Sequence, residues 1–143
     1  MQIYTSSWFT KLPPEIMRIG ISRGVPRGIP TGFRRLKELE PGGWFNSVSP
    51  DKYHELYMAG LAKLNAKQIL GKIELLANGR QTVALLCFEP PGDPKAWCHR
   101  GQVSAWFFDE LGLQIPEFGL LPAYGWDHPK LFRGARNPKD RSP

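Results

Sequence analysis

Thr82-Val83-Ala84-Leu85-Leu86-Cys87-Phe88 is the stretch whose reading decides the fold. After Thr82 it is apolar without alternation over strand length. A strand with one wet face alternates apolar and polar residues, whereas a strand covered on both faces need not. Before it come two segments with helical spacing. Ser49 is a fitting N-cap and Pro50 suits a first helical position, and Tyr53, Leu56, Tyr57, Gly60, Leu61 and Leu64 follow at helical intervals. The second segment runs from about Asn65 to Ala77, with Ile69, Ile73 and Leu76 on one side, and stops at the left-handed signal Asn78-Gly79. After the strand, Gly92-Asp93-Pro94 reads as a turn. A third helix then starts between Trp97 and Arg100, carries Val103, Trp106, Phe107 and Leu111 on one face, and ends at Gly112.

Two further strands are predicted near the start of the chain. Gln2-Ile3-Tyr4-Thr5-Ser6-Ser7-Trp8 is rich in β-branched and aromatic residues, and Met17-Arg18-Ile19-Gly20-Ile21-Ser22 alternates. Lys11-Leu12-Pro13-Pro14 separates them, and the Gly/Pro punctuation from Arg23 to Pro30 excludes regular structure. Leu36 to Pro50 reads as loop, and Leu113 to Phe118 as a short last strand. A buried apolar strand among helices predicts a small layered, Rossmann-like α/β domain, its short and mostly parallel sheet flanked by helices.

The chain's 143 residues suit one domain with a core of its own. Gly (15) and Pro (14) make up about a fifth of the sequence, which predicts long loops without disorder. There is no apolar run long enough for a membrane span and no signal-peptide pattern at the start, so a cytoplasmic protein with no membrane partner is expected. Two cysteines are too few for a secreted disulfide framework and read as thiols, packing groups or ligands. The net charge of +6 sits at the two ends: residues 1–37 hold seven Lys/Arg against one acid, and residues 129–143 hold five against one. The domain is accordingly read as 1–128, followed by a basic C-terminal tail over 129–143 that is suited to touching phosphates.

In open parallel sheets ligands bind beyond the carboxyl ends of the strands. That rule gathers Ser7, Arg23, Cys87 and Glu89 at one edge and aims the start of the third helix, with Cys98, His99 and Arg100, at the same crevice. The expected anion site lies between Arg23, Arg100 and the free N–H groups of that helix, with Arg27 on the neighbouring loop as a further clamp. Cys98 at a helix start favours a thiolate, and Cys98, His99 and Glu89 are the candidates for nucleophilic or acid–base work. Glu89 is equally suited to an ion pair with Arg100 or Arg23, and Cys87 to packing as a small hydrophobe. His54 and His128 read as surface residues, and Trp126 as core or as a platform for a base.

No metal is predicted: Cys-x-x-Cys is absent, and adjacent Cys98 and His99 need an unusual backbone to reach one ion. Walker, dinucleotide and nucleophile-elbow motifs are missing, and the sixth residue after Cys87 is Asp93 and after Cys98 is Ser104, which excludes the cysteine-phosphatase pattern. No cofactor is indicated.

Leu85-Leu86-Cys87-Phe88-Glu89 followed by Cys98-His99-Arg100 resembles the signature of the domain of unknown function 488 family, and Ile3-Tyr4-Thr5 and Ile21-Ser22-Arg23 resemble further pieces of it. The resemblance covers residues 2–118 in outline. It departs at Gly20-Ile21-Ser22-Arg23, where many members carry Asp-Val-Arg. It implies a site at these segments and no particular reaction. The expected function is binding or turnover of a phosphate-bearing ligand, a nucleotide or a nucleic-acid end. The alternative is a non-catalytic nucleic-acid-associated module that works through its basic ends, with the Cys/His/Arg motif structural.

Overall fold

A computed structural model describes residues 1–91 and 97–132. Its sheet is formed by β1 (Gln2–Ser7), β2 (Ile16–Gly20), β3 (Arg34–Arg35) and β4 (Thr82–Cys87) in the order β1-β4-β2-β3, every pair parallel. The helices are α1 (Pro50–Ala62), α2 (Ala66–Ala77) and α3 (His99–Leu111). The predicted α/β class and parallel sheet are therefore observed. No helix among the described residues is long and apolar enough to cross a membrane.

The apolar stretch that suggested the fold is the central strand. Ser6 pairs with Leu86 on one side of β4, and Gly20 pairs with the same residue on the other. Its side chains divide by parity, as strand geometry requires. Val83, Leu85 and Cys87 join the helix-side core with Ile3, Ile19, Ile73 and Phe107, while Ala84 and Leu86 face the opposite side with Trp8 and Ile16. That second side is covered by loops and not by helices, with Leu12, Val25, Ile29 and Phe33 packed over it. The Pro/Gly-rich links that follow β1 and β2 form this cover, so the helices lie on one face only. Gly20 is required there, because Trp8 occupies the space where its Cβ would lie.

Local signals fix the helix ends. The Ser49 side chain accepts from Lys52 N–H, Asn65 from Gln68 N–H, and α2 ends at Asn78 with φ 51°. Two segments differ from the prediction. Arg34–Arg35 adds a two-residue edge strand, and Lys37–Leu39 makes a short 3-10 turn inside the expected loop. Leu113 to Phe118 is not a strand: it runs beside β1 with one bridge, Thr5 to Glu117. Pro116 has no N–H to extend a ladder, so the contact stops at Pro116 O and Phe118 N–H.

Packing against α3 extends to residues 130 and 131, at the start of the segment read as a basic tail. Lys130 and Leu131 are buried against α3, and Lys130 O accepts from Cys98 N–H at 2.9 Å. Positions 133–143 of the predicted basic tail lie outside the described residues. Gly101 makes the close approach possible, since a Cβ there would meet the Lys130 and Leu131 backbone. A Gly101→Ala change ordinarily favours a helix by about 1 kcal/mol. Here it is expected to destabilise by about 1–3 kcal/mol, read as a lower urea midpoint; a raised midpoint would show that the segment is not packed in this way.

Candidate functional site

Three chain segments deliver side chains to a cavity of about 510 Å³ at the carboxyl edge of the sheet. Ser22 and Arg23 come from the turn after β2, and Cys87, Phe88 and Glu89 from the end of β4. Trp97, Cys98 and His99 come from the approach to α3. Pro41 and Phe45 of the long loop, with Tyr53 of α1, close the remaining wall. The parallel direction of β2 and β4 produces this convergence: both strands release their next residues on the same edge.

Arg23 is exposed at the rim, its Nη1 donates to Pro41 O at 3.3 Å, and its guanidinium lies 5.7 Å from the Phe45 ring centre. Tyr53 packs edge-on against both Trp97 and Trp44. Burial, reinforced by the Glu89 charge, raises its phenol well above the usual range, so it stays a neutral donor.

Cys87 and Cys98 do not stand as separate thiols. Their sulfurs are in disulfide contact, with Cα atoms 7.3 Å apart. Cys98 is the N-cap of α3 in extended conformation (φ −147°, ψ 152°), and His99 is its first helical residue. This bend at the cap turns two adjacent side chains toward one point, so the spacing argument against a shared ligand set does not hold in three dimensions. Cys87, Cys98 and His99 present ligand atoms that all lie within 4.8 Å of one another.

His99 is buried between Tyr53 and Tyr57, and its Nε2 meets Ile21 O at 2.6 Å. A carbonyl only accepts, so Nε2 carries the proton and Nδ1, 3.6 Å from Cys98 Sγ, holds a lone pair. Burial pushes the imidazole down to about 4; the Ile21 hydrogen bond opposes this and nearby Arg100 adds to it.

Other predicted site residues lie elsewhere. Arg100 is fully buried and does not line the cavity. Its Nε and Nη2 donate to the two oxygens of Glu117 at 2.9 and 2.6 Å, and Nη2 also reaches Glu89 O at 2.8 Å. The expected Arg100–Glu89 pairing is thus made with the main-chain carbonyl, and the charge partner is Glu117. With its charge neutralised, Arg100 is a scaffold residue and not an anion contact. Ser7 is also engaged: its hydroxyl donates to Phe88 O and accepts from Phe9 N–H. Arg27 is exposed and outside the lining.

His128 is buried, contrary to its surface assignment, and half-buried His54 rests against Phe132. Trp126 donates to the Asp109 carboxylate. Glu117 carries the clearest structural role that the sequence did not reveal. Its only signal is a lone acid in a mostly apolar, proline-containing stretch.

His128 completes a relay behind the site. Lys130 N–H donates to Nδ1, Nε2–H donates to Thr5 Oγ1 at 2.7 Å, and the Thr5 hydroxyl donates to Glu117 Oε1 at 2.7 Å. No family model, curated protein or solved structure matches the chain.

Burial depresses His128 to about 4, with Glu117 opposing the shift and Arg100 and Lys130 reinforcing it. Between about pH 6.5 and 4 the unfolded chain therefore binds a proton that the folded chain refuses, and stability falls as pH drops through that window. His128's share of the loss should approach about 3 kcal/mol below it, and buried His99 adds its own over the same window. Denaturant titrations across the window are expected to show this slope in the wild type and a flatter one in His128→Gln; equal slopes would remove His128 as the cause. Glu117→Gln, which leaves Arg100 buried without its counter-charge, should cost about 3–5 kcal/mol at neutral pH. A midpoint within error of the wild type would refute that role.

Proposed function

We propose that the chain binds and turns over a small phosphate-bearing ligand, a nucleotide or nucleic-acid end, in the cavity at the carboxyl edge of the sheet. The observation that carries this reading is the pairing of one cation at the rim, Arg23, with aromatic walls from Phe45, Tyr53 and Trp97. Such a cavity suits a ligand with a charged end and a flat apolar body. Arg23 contacts the phosphate, and the aromatic rings enclose the base or another planar part.

The reacting groups are drawn from Glu89, Cys98 and His99. While joined to Cys87, Cys98 is no nucleophile; once reduced, its position at the α3 N-terminus favours the thiolate. A cytoplasmic setting, where thiols are kept reduced, is part of this proposal. The likeness of Leu85–Glu89 and Cys98–Arg100 to the domain of unknown function 488 family is retained as a proposal of kinship.

The test is calorimetric titration of the reduced protein with nucleoside monophosphates and with a short 5′-phosphorylated oligonucleotide. Arg23→Ala is expected to weaken binding roughly 10- to 100-fold, the worth of a charge-assisted hydrogen bond, while leaving the unfolding midpoint unchanged. Absence of binding, or affinity indifferent to Arg23, would sink the proposal. A steep salt dependence with no Arg23 effect would point instead to the basic ends of the chain.

A further inference from the structure

Three observations at the floor of the cavity have no account in the phosphate reading. First, Cys87, Cys98 and His99 bring two sulfurs and an imidazole nitrogen together in a buried cluster, yet all three line the cavity. Second, the Cα atoms of the cysteines stand 7.3 Å apart, beyond the usual disulfide span of about 4.4–6.8 Å. Once reduced, side chains on backbone that far apart can draw their sulfurs apart and admit an ion between them. Third, the Ile21 carbonyl fixes the proton of His99 on Nε2, which leaves the Nδ1 lone pair directed at sulfur. A disulfide sulfur has no proton to offer that lone pair.

An imidazole whose remote N–H is held by a backbone carbonyl is the usual posture of a metal-bound histidine. The 3.6 Å between Nδ1 and Cys98 Sγ also matches the nitrogen–sulfur edge of a tetrahedron with bonds of about 2.0 and 2.3 Å.

We propose that Cys87, Cys98 and His99 form a binding site for a soft divalent cation of the zinc class, with two thiolates and Nδ1 as ligands and the fourth position open to the cavity. The oxidised form is the disulfide. Two small-molecule thiols reduce it, giving two cysteine thiols and one external disulfide. Cation binding then releases both thiol protons. Two thiolates and one divalent cation leave no net charge, which suits their depth. Three protein ligands plus an open place are the pattern of a reactive centre and not of a structural one. Water or an anion from the cavity, which Glu89 and Arg23 also line, would take the fourth position. The proposal does not depend on a phosphate ligand, and its test contains none.

The experiment titrates the chelator-stripped, phosphine-reduced protein with Co²⁺ alone under argon, then with Zn²⁺. One Co²⁺ per chain is expected, with a thiolate-to-cobalt charge-transfer band and d–d bands of four-coordinate intensity, all abolished by Zn²⁺. Cys87→Ser, Cys98→Ser and His99→Gln should each weaken binding roughly 100-fold or more, beyond the effect of losing an outer partner. Circular dichroism would show which variants fold. Zinc-edge X-ray absorption of the wild type keeps the test decisive even if the variants do not fold. Two sulfurs at about 2.3 Å with lighter atoms at about 2.0–2.1 Å are expected. No stoichiometric cobalt uptake, an unchanged spectrum in folded Cys98→Ser, or a zinc shell without two sulfurs would overturn the proposal.

Discussion

The buried ion pair between Arg100 and Glu117 is the constraint on which the cavity floor depends. Taking both charges out of water costs several kcal/mol per ion, and only good geometry with further hydrogen bonds offsets it. Here the contact is two-pronged, Thr5 donates to the same carboxylate, and His128 supports Thr5. Glu89 O accepts another guanidinium N–H. The pair therefore ties four parts of the chain together: β1 through Thr5, the end of β4 through Glu89, the first turn of α3 through Arg100, and the segment after α3 through Glu117. Cys98 and His99 directly precede Arg100, so their placement is set from behind by a contact that never reaches the cavity.

This explains which features were legible in the sequence. Strands and helices declare themselves by local pattern: the unbroken run after Thr82, the Ser49-Pro50 cap and the Asn78-Gly79 ending each encode an element within a few residues. The residues just past strand ends were legible for a similar reason. Once β2 and β4 are parallel, Arg23, Cys87 and Glu89 fall at one edge by geometry alone. Arg100 was misplaced because its partner lies 17 positions later and on no regular element. Nothing in a single arginine tells whether its counter-charge is a ligand or a distant glutamate. Phe45 and Tyr53 were unreadable as cavity walls, since their role arises only when the long loop and α1 fold back over the edge. The cysteine pairing was hidden by a sequence separation of 11 residues, which matches no recognisable knuckle spacing.

The cavity has two chemically different halves. Its rim carries Arg23 and Glu89 with aromatic rings, groups suited to holding a charged and planar molecule. Its floor carries sulfur and imidazole, groups suited to electrons, protons and soft cations. The halves come from different construction rules. Loops after the strands supply the rim, whereas the floor is part of the buried core, with Cys87 on the helix side of β4. A ligand could thus be exchanged at the rim without disturbing the core. A change of oxidation state at the floor, by contrast, would be felt through the packing of His99 against Tyr57.

The seat of residues 130 and 131 against Gly101 has a consequence for the order in which the molecule is made. The N–H of Cys98, the capping residue of α3, is satisfied by the carbonyl of Lys130, 32 positions later. During synthesis the chain emerges at about 5–20 residues per second, so the sheet and helices are all outside before that carbonyl can arrive. Until then the N–H at the cap of α3 has no carbonyl to meet, and the start of the helix that carries Cys98, His99 and Arg100 lacks its last support. Residues 130 and 131 thus close over the start of α3 after everything they touch is already in place. The site behind them is therefore completed last, although the sulfur pair stays reachable afterwards through the cavity it lines.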